Sequence, residues 1–150
     1  MRALIQRVNF ASLKLDDQPF SEIKIGLLIL LGVEAADNND DIIWLSNKVS
    51  NLRVFNDENG VMNLSVKDVK GEVMVVSQFT LFASTKKGNR PSYIRSAKPE
   101  ISEPLYQNFV EQIKNDIGKD VATGKFGGDM KIKFENDGPV TIMIDSKNRE

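Results

Sequence analysis

Apolar and polar residues alternate over residues 2–8, "RALIQRV", which predicts a half-buried strand. "ASLKLDD", residues 11–17, reads as its hairpin partner. Residues 22–33, "EIKIGLLILLGV", begin with the same alternation and become continuously apolar, as a strand covered on both faces does. The period then changes. Ile42, Leu45, Val49 and Leu52 fall on one helical stripe, with acidic and amide residues gathered at the start where caps form. Asn59-Gly60 marks a tight turn, and residues 72–83, "EVMVVSQFTLFA", read as a second long central strand.

A second helix is predicted over "SEPLYQNFVEQIKNDIG". Ser102 is placed to cap it, Glu103-Pro104 suit its first turn, and Gly118 stops it. Tyr106, Phe109, Val110, Ile113 and Ile117 form its apolar face. "MKIKF" (130–134) and "PVTIMID" (139–145) close the chain as two strands, separated by a turn at Asn136, Asp137 and Gly138. Pro139 opens the last strand, where the missing N–H is tolerated. Six or seven strands with two separately inserted helices make an α+β (mixed α/β) domain. Without regular βαβ alternation, a curved, barrel-like sheet with both helices packed outside fits best.

Composition narrows the chemistry. A chain of 150 residues, 41% hydrophobic, suits a single domain spanning 1–150. A net charge of −1 argues against a nonspecific nucleic-acid coat. Cysteine and histidine are both absent. That excludes disulfides, thiol nucleophiles, Cys-based zinc sites, and Ser-His-Asp or Cys-His machinery within the chain. Catalysis has to use carboxylates, lysines, hydroxyls, backbone groups or the substrate itself. The N-terminus is interrupted by arginine, unlike a signal peptide, and the longest apolar run, 25–33, is far short of the roughly 20 residues that span a bilayer. A soluble, cytoplasmic protein is expected.

"SQFTL" (77–81) places Ser77, Gln78 and Thr80 at the end of an apolar strand, where polar side chains face either solvent or a pocket. Thr80 as a nucleophile would need a base, and no histidine can serve. Lys86, Lys87, Arg90, Arg95 and Lys98, with Tyr93 among them, make either a solvated loop or a phosphate-contacting patch. "TGKFGGDM" (123–130) lacks the order of a phosphate-binding loop and reads as a turn allowing close backbone approach. Arg7 is either a solvent-facing arginine or a fork of donors for a carbonyl.

"MRALIQRV", "SQFTLFAS", "KGNRPSY", "TGKFGGDM" and "NDGPVTIMIDS" occur in an order and spacing that resembles the D-aminoacyl-tRNA deacylase (D-tyrosyl-tRNA(Tyr) deacylase) family over nearly the whole chain. The resemblance implies hydrolysis of the ester between a D-amino acid and the 3′-terminal adenosine of tRNA, and of glycine mischarged on alanine tRNA. It implies a homodimer with active sites at the subunit interface, no cofactor, no metal, and no DNA or membrane partner. Gly138 and Pro139 would form a cis bond and enter the partner's pocket, lined by Ser77, Gln78, Phe79 and Thr80. Arg7 would help orient the Gly-Pro carbonyls, and Val140 and Thr141 complete the substrate-binding candidates. Lys86, Lys87, Arg90 and Arg95 are the tRNA-binding candidates.

Two mechanisms remain open. In one, Thr80 is the nucleophile. In the other, the ribose 2′-hydroxyl assists attack while backbone N–H groups near Phe79 and Thr80 hold the oxyanion. The competing functional classes are a noncatalytic tRNA-end-binding dimer and an editing domain acting on L-mischarged tRNA.

Overall fold

The computed structural model describes residues 1–149; Glu150, the last residue of the expected 1–150 domain, lies outside the described residues. The organising element is β1 (Arg2–Leu15), one continuous strand and not the two-strand hairpin expected from residues 2–17. Asp16 and Asp17 turn the chain with φ of 49° and 61°, so β2 (Gln18–Ile23) is the true hairpin partner. Short polar side chains make this left-handed pair affordable where most residues would resist it.

β3 (Gly26–Gly32) lies antiparallel to β1, and β6 (Glu72–Ser77) lies parallel to β3. Between them the chain forms α1 (Asn39–Ser50) and a small hairpin, β4 (Phe55–Asn56) with β5 (Met62–Leu64). α2 (Pro99–Ile117) then carries the chain to β7 (Ala122–Thr123), again parallel to β6. Both helices therefore sit in parallel crossovers, a relation that local patterning did not reveal. The sheet runs β2-β1-β3-β6-β7, with β8 (Met130–Asp145) added to β1. The Ser21 hydroxyl donates to the Thr123 carbonyl at 2.8 Å, drawing β2 toward β7 and curling the sheet into a nearly closed barrel.

Two cores result, split by strand parity. Leu27, Ile29 and Leu31 of β3 and Val73 and Val75 of β6 face the helices, where they meet Ile42, Leu45 and Val49 of α1 and Tyr106, Phe109 and Ile113 of α2. Leu28, Met74 and Val76 point into the barrel with Val8, Ala11 and Leu13. The continuous apolar runs of β3 and β6 thus reflect burial on both faces, as expected.

α1 begins as its acidic start predicts. The Asn38 side chain accepts from the Asp40 N–H at 2.8 Å, and the Asp41 carboxylate accepts from the Asn38 N–H at 3.0 Å. α2 departs from expectation. It starts at Pro99, one turn before Ser102, whose hydroxyl instead donates to the Lys98 carbonyl at 3.0 Å. Pro99 brings a preset helical φ and has no N–H to leave orphaned, so it nucleates the turn better than Ser102 does. Pro104 then lies inside the helix, close enough to its start that only the bond to the Glu100 carbonyl is lost.

The predicted long strand 72–83 also stops early. After Ser77 the chain enters a 3₁₀ turn, Phe79–Phe82. The expected turn at 136–138 does not reverse the chain; β8 passes through it and pairs with β1 on both sides. The start of β1 is locked by the Met1 ammonium, fully buried and bonded to Asp37 at 2.5 Å and to the Ser146 hydroxyl at 2.6 Å. That contact ties together the first strand, the approach to α1 and the end of β8.

Gly26 marks the tightest backbone approach. A Cβ there would lie 1.8 Å from the Glu72 carbonyl oxygen, its neighbour across the β3–β6 ladder. Gly26→Ala is expected to cost about 3 kcal/mol or more, since the obstruction is main chain in a central strand and cannot swing aside. A denaturant titration of the purified variant measures this.

Candidate functional site

Two groups of residues carry the candidate chemistry, and they lie on different parts of the surface. The first forms where β6 ends. Gln78 N–H donates to the Leu31 carbonyl at 2.7 Å, which anchors the chain as it leaves the sheet. The 3₁₀ pattern starts with Leu81 N–H to the Gln78 carbonyl at 3.3 Å and continues with Ala83 N–H to the Thr80 carbonyl at 3.0 Å. The amides of Phe79 and Thr80 precede that pattern, so the turn itself supplies them no acceptor. The Gln78 side-chain amide donates to the Thr80 hydroxyl. An amide holds a hydroxyl in place without acting as a base, so this contact orients Thr80 and does not activate it.

Beside the turn lies a cavity of about 620 Å³. Ser77, Gln78 and Phe79 form one wall; Thr80 is not part of the lining. Phe79 is 55% exposed at the rim and meets the edge of Tyr93 with ring centroids 5.0 Å apart. Deeper in, Tyr106 donates its phenol to the Val75 carbonyl at 2.8 Å. Burial pushes that phenol up to about 12, so it remains a neutral donor and is no proton acceptor at working pH. Phe126 and the Gly127-Gly128 turn close the far side. Sequence reading placed Tyr106 only on a core face and missed Phe126; their role in the cavity depends on how α2 and the 123–130 turn meet, which no local pattern encodes.

The second group is an outswing of β8. Gln6 pairs with Thr141 and Val8 with Asn136, so four residues, Asp137 to Val140, stand opposite Arg7 alone. The outswing contains the cis bond Gly138-Pro139, and Gly138 has φ 118°, a conformation open essentially to glycine. Both residues are exposed. Beneath them lies Arg7, buried and not solvent-facing as its simplest sequence reading would have it. Its Nη1 donates to the Val54 carbonyl at 2.6 Å, and its Nε faces the Asp137 carboxylate at 2.9 Å, off the N–H line, as an ion pair. A Cβ on Gly138 would come within 3.0 Å of Arg7 Nη2. The guanidinium thus meets Gly138 by contact, while its bonds run to its flanks. Arg7, Gly138, Pro139, Val140 and Thr141 come together as a unit, and none of them lines the cavity.

The basic loop is closed at its base by paired bonds between Ser84 and Ser92, at 2.8 and 2.9 Å. Lys86, Lys87 and Arg90 stand exposed on it. Arg95 is partly engaged, 3.3 Å from Glu34 and stacked over the Phe82 ring at 5.4 Å. Among the described residues, no group of acidic side chains is arranged to hold a metal ion, and no helix is long and apolar enough to cross a membrane.

This combination defines a class: a small mixed barrel with helices outside, a cavity at a strand end, and an arginine-braced Gly-Pro outswing. The D-Tyr-tRNA(Tyr) deacylase family model matches residues 4–145. The chain is 61% identical to the D-aminoacyl-tRNA deacylase of Flavobacterium psychrophilum, covering 100% of both chains. It is 59% identical to that of Christiangramia forsetii, covering 99% of each. Among solved structures it is similar to a c-Myc DNA unwinding element binding protein at 37% identity and TM-score 0.91, covering 97% of this chain and 98% of that one. A probable eukaryotic D-amino acid tRNA deacylase shares the fold, with TM-score 0.83 at 16% identity, covering 95% of this chain and 97% of that one. The chain belongs to the D-Tyr-tRNA(Tyr) deacylase family, a family of hydrolases.

Arg7→Ala is expected to leave the Val54 carbonyl without its buried partner and Asp137 without its counter-charge, costing about 1–3 kcal/mol of stability. Arg7→Lys should recover little, because a single ammonium cannot serve the carbonyl and the carboxylate as a planar fork does. Denaturant midpoints of the two variants give the comparison.

Proposed function

We propose that this protein hydrolyses the ester joining a D-amino acid to the 3′-terminal adenosine of tRNA, and likewise clears glycine mischarged on alanine tRNA. The observation carrying this reading is the exposed Gly138-Pro139 outswing seated on buried Arg7, set apart from the Ser77–Phe79 cavity of its own chain. Two complementary half-sites that do not meet within one chain suit a symmetric dimer, in which each protomer supplies the clamp for its partner's cavity. The kinship with curated D-aminoacyl-tRNA deacylases supports the substrate class.

In this arrangement the terminal adenosine enters the cavity beside Phe79 and Tyr93, whose rings offer a stacking surface. The partner's Gly138 and Pro139 carbonyls accept from the substrate's α-ammonium and crowd its Cα. An L-side chain would collide with that wall, whereas a D-side chain or glycine's hydrogen points away. Discrimination then comes from a clash with main-chain atoms, so many D-side chains are tolerated. Lys86, Lys87 and Arg90 lie on an exposed loop suited to acceptor-stem phosphates, with Arg95 in a secondary part.

Water attacks the ester carbonyl with assistance from the neighbouring ribose 2′-hydroxyl, and the Phe79 and Thr80 amides hold the developing oxyanion. The bond to the ribose 3′-oxygen breaks, releasing free tRNA and the D-amino acid. Thr80 is held by Gln78, and no base bonds to it among the described residues, which favours this route over a threonine nucleophile. The substrate places the activity in the cytoplasm, in chiral proofreading. The DNA-binding name of one structural relative does not carry over, because a chain of net charge −1 is a poor general DNA binder.

D-tyrosyl-tRNA should be cleaved and L-tyrosyl-tRNA spared in a single-turnover assay. Binding without cleavage would favour a tRNA-end-binding dimer, and faster cleavage of the L-ester would favour an ordinary editing domain. Thr80→Ala should retain near-normal single-turnover rates; a drop of about 10⁴ or more, the scale of losing a true nucleophile, would restore the threonine mechanism.

A further inference from the structure

The neck of the β8 outswing carries a side-chain clasp to which none of the steps above assigns a role. Asn136 and Thr141 are the ladder residues on either side of the four-residue excursion, opposite Val8 and Gln6. The Asn136 Nδ2 donates to the Thr141 Oγ1 at 2.9 Å, closing the neck from one side to the other. The Asn136 Oδ1 accepts from the Val140 N–H at 3.3 Å, inside the excursion itself. A backbone N–H can only donate, which fixes the amide orientation: the oxygen faces Val140 and the nitrogen faces Thr141. Gln6 Nε2 approaches the same Thr141 oxygen at 3.4 Å, from across the ladder.

We propose that Asn136 and Thr141 are positioning residues for chiral discrimination, setting where the Gly138-Pro139 carbonyls stand. This rests on the deacylase reading above. Arg7 supports the outswing from beneath, through Asp137 and the contact under Gly138. The polar contacts of Arg7 run to Val54 and Asp137 and not to Val140, where the excursion rejoins the ladder. The clasp ties Val140 and Thr141 back to Asn136, so the two ends of the excursion keep a constant separation. Thr141 is exposed and Asn136 half-buried. The bond to Thr141 is open to water and that from Val140 only partly buried, so their effect falls more on local geometry than on folding. A wall that rejects one enantiomer by contact works only if it does not yield. Misplacement by roughly an ångström is enough to change rates by up to about 100-fold.

The test compares Asn136→Ala, Thr141→Val and Thr141→Ser with the unaltered protein. Single-turnover cleavage of D-tyrosyl-tRNA and L-tyrosyl-tRNA is measured for each, alongside the melting temperature. Asn136→Ala and Thr141→Val should each lower the D-to-L rate ratio by about tenfold to 100-fold, chiefly because L-ester cleavage rises. Their melting temperatures should stay close to the parent's. Thr141→Ser keeps the accepting oxygen and should keep the ratio. A merely structural role would lower both rates together and move the melting temperature, and that result overturns the proposal. So does an unchanged ratio in both disrupting variants, or a Thr141→Ser variant that behaves like Thr141→Val. If Asn136→Ala fails to fold, the exposed Thr141 variants decide the matter alone. An unaltered protein with no preference for the D-ester would overturn the deacylase reading and this inference with it; a normal preference kept in the variants overturns the inference only.

Discussion

β1 must satisfy hydrogen-bonding groups on both of its edges over 14 residues, and its partners are of unequal length. β3 occupies one edge of its first half and β2 the same edge of its second half, while β8 runs along the whole of the other. Such a strand cannot remain regular. Near its middle β8 swings out four residues opposite Arg7, and one step later β1 spends an extra residue, Asn9, between its pairs with Asn136 and Glu135. A single added residue exchanges the faces of a strand. Hence Ala3 and Ile5 belong to the helix-side core, whereas Ala11 and Leu13 belong to the barrel interior. The irregularity that carries β1 from one core to the other lies beside the one that presents Gly138-Pro139.

The chemistry follows from what the chain lacks. With neither histidine nor cysteine, it has few ways to move protons with side chains. The proposed mechanism relies on main-chain groups held still instead. In the proposed mechanism the 3₁₀ turn after Ser77 supplies amides and the β8 outswing supplies carbonyls, while Gln78 bonds Thr80 and Arg7 pairs with Asp137 beside them. Backbone atoms positioned by a barrel cost nothing to reorganise during a reaction, which is where electrostatic stabilisation is most effective. In the proposed reading they are also indifferent to the side chain of the substrate, which suits a test of chirality alone.

Much of this was legible from local patterning where one element's surroundings are uniform. The apolar runs of β3 and β6 announced burial on both faces, and the stripes of Ile42, Leu45 and Val49 and of Phe109 and Ile113 announced helices. Reading failed where two tendencies competed. Residues 2–15 form one strand because β8 pairs with it from end to end, overriding the apparent break after Val8. Helix α2 begins at Pro99 because a proline start outweighs a serine cap one turn later. Asn136-Asp137-Gly138 reads as a chain reversal but is a bulge, since β1 offers a continuous edge on both sides.

The amino-acid sequence by itself determined the absence of thiol and imidazole chemistry, the two helices, the strongly buried strands, and the family motifs whose residues lie at the cavity where β6 ends and at the β8 outswing. Only the tertiary structure decided that Arg7 is buried under Gly138, that Phe79 meets the edge of Tyr93 beside a cavity that Tyr106 also lines, and that the outswing and that cavity stand apart in one chain. The reason is physical. Periodicity records how one segment divides its surface between core and water, whereas these contacts join segments far apart in the chain. They exist only once β1 has been paired on both edges.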